Sequence, residues 1–186
     1  MVTTLETAVF AGGCFWCTEA IFTRLTGVIS VTSGYTGGTV ANPSYEAVSS
    51  GETGHTEAVK VQFDPAVISY QKLLEVFWAT HDPTTLNRQG NDIGTQYRSA
   101  IFYTTEQQKA VAEKSRELTG EREIAGRKIV TEIKPLENFY PAEEYHQNYF
   151  DKNAAANPYC SLVIAPKIQK LVDQFNVSVK EEFKTS

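Results

Sequence analysis

The change of hydrophobic period at Gly12-Gly13-Cys14 constrains this chain more than any other feature. Leu5 to Ala11 is a short apolar run ending in two glycines, which predicts a strand and then a tight turn. From Cys14 to Leu25 the spacing turns helical, with Cys17, Ile21 and Leu25 on one face, and Gly27 ends the segment. A strand handing over directly to a helix favours a sheet with helices packed against it.

The same mixture continues along the chain. Val28 to Tyr35 and His55 to Asp64 alternate as strands, and Ser69 to His81 reads as an amphipathic helix burying Leu73, Leu74, Phe77 and Trp78. Residues 82–97, rich in Asp, Asn, Gly and Gln, are predicted to form a long loop of the kind that often carries function. A strand (Arg98 to Tyr103), a helix (Thr105 to Leu118) and a strand (Lys128 to Lys134) follow, then helices over Glu143 to Lys152 and Pro166 to Phe175. The fold class is α+β. No repeat or linker divides the 186 residues, so one catalytic domain over 1–186 is expected, with a core at about 5–165 and a C-terminal helix and tail at about 166–186.

Charge and composition narrow the function. The formal charge is 17 − 22 = −5, without a basic cluster able to track a phosphate backbone, so no nucleic acid is expected as a partner. No apolar run approaches the ~20 residues that span a bilayer. Met1 to Glu6 lacks the basic and apolar stretches of a signal peptide, so a cytoplasmic location off the membrane is expected. The three cysteines, 14, 17 and 160, are too few and odd in number for a disulfide framework, leaving them reactive, metal-bound or merely buried.

Cys14 stands where a helix begins after two glycines. First-turn N–H groups and the positive helix end favour a thiolate there, and the glycines leave it accessible; a small buried hydrophobe is the plainer alternative. Phe15 and Trp16 suit an apolar wall beside that thiol, or core packing. Cys17 makes a Cys-x-x-Cys spacing with Cys14, the mark of a redox pair or of half a zinc site, and is equally readable as a core residue beside Ile21. With His55-x-Glu57 the pair resembles the nucleobase deaminases, but the order is reversed and the proline before the cysteines is missing. Glu57 shares its strand face with Val59, Val61 and Phe63. Burial there would keep the acid protonated and ready to donate, unless it snorkels to water at the strand end. Tyr35 shares a face with Ile29, Val31 and Ser33 and can end a cleft or simply the core.

Taken in order, GGCFW at 12–16, SGYTGG at 33–38, TGHTEAVKVQFDP at 53–65, QGNDIGTQYRSAI at 89–101 and YHQNY at 145–149 resemble the A-type peptide methionine sulfoxide reductases, from residue 8 to about 165. The resemblance implies a two-layer α+β sandwich on a mixed sheet with a ferredoxin-like core. It implies reduction of methionine-(S)-sulfoxide, free or in oxidised proteins, without metal or cofactor and with a thioredoxin-like dithiol as reductant. It casts Cys14 as nucleophile, Glu57 as the acid on the sulfoxide oxygen, Tyr35 and Tyr97 as hydroxyl donors, and Asp92 as an ordering group. Phe15 and Trp16, with Gly13, His146 and Tyr149, would border the substrate. Cys160 resembles the resolving cysteine, on a loop able to reach the site. Cys17, where most members have Gly, is a possible relay, although a Cys14–Cys17 disulfide inside a helical turn would need local unwinding. A monomer is expected. A non-catalytic module binding Met-containing peptides through the aromatic wall is the remaining alternative.

Overall fold

In the computed structural model the chain is described over residues 4–121 and 126–184; the first three residues of the N-terminal stretch and the last two of the tail lie outside them. The frame is β1 (Glu6–Gly12), α1 (Phe15–Thr23), β2 (Val28–Thr36), β3 (Thr56–Phe63), α3 (Tyr70–Thr80) and β6 (Ser99–Tyr103), with the short helix α2 (Tyr45–Ser49) and a two-stranded hairpin of β4 (Arg88–Gln89) and β5 (Asp92–Ile93) between them. With β7 (Glu132–Pro135) and β8 (Phe139–Pro141) at its edges, the sheet order is β7-β6-β1-β3-β2-β8. Its middle four strands are antiparallel, so β1-α1-β2-β3-α3-β6 forms two interleaved split βαβ units, the ferredoxin-like arrangement. β7 joins β6 in parallel and β8 joins β2, which makes the sheet mixed.

The apolar run at the start is apolar on both faces because β1 is covered on both. Phe10 faces the helices, stacking on Phe22 of α1 at 5.0 Å and on Phe77 of α3 at 5.1 Å. Val9 and Ala11 face the other way, into a small cluster with Ala58, Ala100 and Phe102. Burial of this kind contributes about 1.5–3 kcal/mol for each large side chain. Cys17, Ile21 and Leu25 are buried together, as their spacing predicts. Gly27 ends this segment at φ 88°, where a Cβ would sit 2.7 Å from Ile68.

Several expectations need correction. Ile29 is 59% exposed, because the pairing of β2 with β3 slips between Val28 and Ser30 and Val28 takes the inward place. Residues 82–97 are not structureless: they hold the β4–β5 hairpin and a 3₁₀ turn over Thr95–Tyr97. Of the strand expected over Lys128 to Lys134, only Glu132 onward pairs with β6, since Val130 spends its N–H on the Pro83 carbonyl. The helix expected over Glu143 to Lys152 is two short pieces, a 3₁₀ turn (Glu144–His146) and α5 (Tyr149–Asn153), parted by Asn148 at φ 52°. α4 (Glu106–Glu121) is longer than expected, and α6 (Ala165–Phe175) follows a π-helical turn over Cys160–Ile164.

Candidate active site

Gly13 and Cys14 connect the central strand to α1. Gly13 takes φ 93°, and a Cβ there would meet the Gln89 side chain at 2.6 Å. The glycine is therefore needed twice, for the turn and for the closeness of the β4–β5 hairpin. Gln89 is held by its amide, which accepts from Asp82 N at 2.9 Å and donates to Asp82 O at 3.0 Å. Cys14 itself caps α1 with φ −52° and ψ 123°, outside helical values, and its carbonyl accepts from Cys17 N at 3.1 Å.

The first N–H of the helix does not serve the thiol. Phe15 N donates to Glu57 Oε2 at 2.9 Å. Glu57 pairs across the sheet with Tyr35 and is buried, so it does not snorkel. Burial pushes its carboxyl up to about 8, against the pull of the Phe15 N–H and with help from the charges of Asp92 and Cys17. At neutral pH it holds a proton.

This corrects the expected charge on Cys14. Burial, then Cys17 and Glu57, push the Cys14 thiol well above its ordinary value. Cys17 moves the other way, lowered to about 7 by the hydrogen bond from Cys14 against its own burial, with Lys167 and Tyr159 assisting. Cys14 and Cys17 pack in one side-chain cluster, the first held up and the second held down. Cys17 Sγ also lies 3.7 Å from the Tyr159 hydroxyl.

Around these sulfurs the wall is aromatic. Phe15 is buried against Tyr35 at 5.8 Å and His146 at 5.1 Å. Trp16 points elsewhere: Tyr149 stacks on it at 3.7 Å and 6°, and its indole N–H donates to His146 Nδ1 at 3.0 Å. His146 is buried, and its Nε2 has no hydrogen-bond partner. Because Nδ1 accepts, Nε2 carries the proton. Tyr149 is placed by Glu19, whose carboxylate accepts from the N–H groups of Asn148 at 2.9 Å and Tyr149 at 3.3 Å.

The remaining candidates gather at the same place. Tyr97 packs in one cluster with Cys14, Cys17 and Cys160, and burial and then the charge of Glu57 push its hydroxyl pKa up. The Tyr35 hydroxyl donates to Glu143 Oε2 at 2.8 Å, so in the resting site its proton is engaged there. Asp92 Oδ2 accepts from Tyr159 at 2.7 Å. A cavity of about 280 Å³ reaches Cys14 between Asn91, Asp92, Tyr159 and Lys167. Cys160 is not on an open loop: it is buried in the π-helical turn.

Three contributors were not anticipated. Glu143 fastens Tyr35 and also accepts from Tyr45 N at 2.8 Å, but it sits between elements whose boundaries the sequence obscures. Lys167 and Tyr159 come from the C-terminal segment; the position of Tyr159 beside Cys160 was the available signal. His55, in contrast, is not near the cysteines in function: Gly38 N donates to its Nδ1 at 3.1 Å and its Nε2 bonds Val40 O at 2.7 Å. With both ring nitrogens engaged it is a poor ligand, and among the described residues no three His, Cys, Asp or Glu side chains converge to hold a metal. A neutral acid, a nucleophile and a second thiol around an aromatic pocket can protonate and displace an oxygen from a soft, methyl-bearing centre.

Comparison with known proteins gives concordant findings. The family described as peptide methionine sulfoxide reductase matches residues 6–179. Peptide methionine sulfoxide reductase MsrA of Saccharolobus solfataricus is 55% identical over 177 residues, covering 95% of this chain and 98% of its own. Methionine sulfoxide reductase A of Corynebacterium diphtheriae superposes with a TM-score of 0.79 at 37% identity, covering 82% of this chain and 77% of its own. Mxr1 from Saccharomyces cerevisiae in complex with Trx2 does so with a TM-score of 0.55 at 27% identity, covering 80% and 87%.

Proposed function

The chain belongs to the peptide methionine sulfoxide reductase family, A type, and from that premise we propose how its own residues perform the thiol-dependent reduction of methionine-(S)-sulfoxide. The observation that carries the assignment is the bond from Phe15 N to the buried Glu57, which sets a protonated acid at the head of the helix that Cys14 caps. The Cys14 sulfur attacks the sulfoxide sulfur as its proton passes to Cys17, and Glu57 gives its proton to the sulfoxide oxygen, a poor leaving group otherwise. Methionine leaves, and the oxygen remains on Cys14 as a sulfenic acid. Tyr97, and Tyr35 once turned from Glu143, donate to that oxygen as charge develops on it. Phe15, Trp16, Tyr149 and His146, with the turn at Gly13, hold the methyl group, while Asp92 orders the rim.

For the second half we propose Cys17 first and Cys160 second. A Cys14–Cys17 bond inside a helical turn would need local unwinding, but Cys14 lies outside helical backbone angles and packs in one cluster with Cys17. The Cys17 sulfur displaces the oxygen of the sulfenic acid, which leaves as water with the proton given by Glu57 and a second that replaces the one Cys17 took from Cys14 and now releases; Glu57 is reprotonated from solvent. Cys160, in the same side-chain cluster, exchanges into this disulfide and passes it to an external dithiol. We propose a thioredoxin-like reductant, a reading supported by the complex of yeast Mxr1 with Trx2, and no bound metal or cofactor. Residues 1–186 are proposed to act as one catalytic domain and as a monomer. Free thiols suit the reducing cytoplasm, the proposed location; no described helix is long and apolar enough to cross a membrane.

Cys14→Ser is expected to abolish methionine formation, and turnover by that variant would overturn the nucleophile assignment. Mass mapping after one turnover is expected to find Cys14–Cys17 in Cys160→Ser and a persistent sulfenic acid in Cys17→Ser. A Cys14–Cys160 disulfide forming at the wild-type rate in Cys17→Ser would reverse the order.

A further inference from the structure

The C-terminal segment is arranged around the sulfur of Cys17. The Tyr159 hydroxyl lies 3.7 Å from Cys17 Sγ and donates to Asp92 Oδ2 at 2.7 Å. A phenol has one hydrogen. While it points to Asp92, only a lone pair faces Cys17, which suits a neutral thiol. An ionised Cys17 needs a donor instead, so the hydroxyl must turn to the sulfur and release Asp92. Tyr159 is fixed for such a turn: its backbone N–H donates to Asn157 Oδ1 at 2.9 Å, and its ring stands edge-on to Trp16 at 6.1 Å. Eight residues further along the chain, Lys167 of α6 lines the cavity beside Cys14, Asp92 and Tyr159.

We propose that Tyr159 and Lys167 are positioning residues that ready Cys17 for the Cys14 sulfenic acid, Tyr159 by moving its hydrogen bond from Asp92 to the ionised sulfur and Lys167 by its charge. This rests on the order of thiols proposed above. The reason such help is needed lies in the reaction itself. In the resting enzyme the neighbouring Cys14 thiol, packed in the same cluster, is the first influence that lowers Cys17. Once Cys14 has become a sulfenic acid that S–H is gone, and what still favours an ionised Cys17 is Tyr159 and Lys167. Facing them are Asp92 from β5, whose negative charge opposes ionisation, Glu57 from β3, negative only while the proton it gave to the sulfoxide oxygen is missing, and the buried Cys160. In the step itself the Cys17 sulfur bonds to the Cys14 sulfur, the Cys14 S–O bond breaks, and the oxygen takes up a proton and the one it carries to leave as water. The proton Cys17 released to solvent balances the one consumed, and no further oxidant is required.

The test uses the full chain and two variants, Tyr159→Phe and Lys167→Met. In reduced protein, alkylation of Cys17 by iodoacetamide is followed peptide by peptide against pH. Each substitution is expected to raise the midpoint, and a rise of about one unit lowers the thiolate fraction near pH 7 about fivefold. After one turnover of methionine sulfoxide, trapped Cys14 sulfenic acid is expected to persist longer in both variants at pH 7. At about pH 9.5 the difference should close or reverse, because Cys17 is then ionised in all three proteins and a thiolate of higher pKa is the better nucleophile. Unmoved midpoints in both variants overturn the proposal. So does a slowing of equal size at both pH values, which marks a merely structural effect. Cys17→Ser run alongside separates the two ideas: an unchanged sulfenic acid lifetime there refutes the order of thiols, while the alkylation midpoints still decide the coupling of Tyr159 to Cys17.

Discussion

A carboxyl that must stay protonated is held by the same burial that destabilises the fold when the proton is lost, and Glu57 shows both sides of this. Its folded value of about 8 lies above the ordinary 4.5. The stability it leaves intact is fully present below about pH 4.5 and is lost as pH rises through 8, a cost of a few kcal/mol. Glu57→Gln keeps an acceptor for Phe15 N but has no proton to give. It should therefore raise the melting temperature at pH 9 while slowing single-turnover methionine formation by about 10²–10⁴-fold. Wild-type single turnovers should slow as pH passes 8. Unfolding scans and rapid-quench rates at pH 5, 7 and 9 check both, and equal rates would remove Glu57 from the role of acid. The burial of Glu57 was legible because strand side chains alternate strictly, and β3 keeps its register beside it. The same rule failed at Ile29, where a bulge in β2 shifts the alternation. The charge on Cys14 was not legible either: the helix start was, but its first N–H goes to Glu57, a partner 42 residues away.

Elements longer than two turns could be read from spacing; those shorter could not. β1, α1, β3 and α3 lie within a residue or two of where their patterns place them, because each buries a stripe large enough to set its period. The segment 139–153 defeated the same reading, being divided among β8, a 3₁₀ turn and α5, none longer than five residues. Its organising feature is the left-handed Asn148, whose N–H and that of Tyr149 close on the Glu19 carboxylate. That kink turns Tyr149 flat onto Trp16. Asn tolerates the left-handed region and a β-branched residue does not. Asn148→Val should accordingly cost about 1–3 kcal/mol and unstack Tyr149, seen as a change in Trp16 fluorescence and a raised KM. Asn148→Gly, free of that strain, should retain the stack. If both variants behave alike in denaturation and fluorescence, backbone conformation at 148 does not place the wall.

The site draws on both ends of the chain, so whatever fastens the C-terminal segment to α1 also sets the approach of Tyr159, Cys160 and Lys167 to the sulfurs. The tail does this by backbone: Thr26 N bonds Ser178 O at 2.8 Å and Lys180 N bonds Arg24 O at 2.9 Å, with Leu25 bridging to Val179. Arg24 does it by side chain. It is buried, donates to Ala20 O at 2.8 Å and to Asp151 at 2.6 Å, and lies over the rings of Phe150 and Phe183. One guanidinium thus joins α1 to α5 and to the tail, with no contact to Cys14 or Glu57. Arg24→Ala removes that joint and leaves Asp151 unpaired; since Asp151 is 35% exposed, the loss should stay near 1–3 kcal/mol rather than the larger cost of a wholly buried pair. Hydrogen exchange should quicken over residues 149–153 and 176–184 and stay as in wild type over β1 and β3. Methionine formation in a single turnover should be largely retained, while the later exchange into Cys160, which depends on the packing of its turn, should slow. Exchange that remains protected in both segments would mean the backbone bonds hold the tail unaided, and that Arg24 has no part in presenting the second thiol.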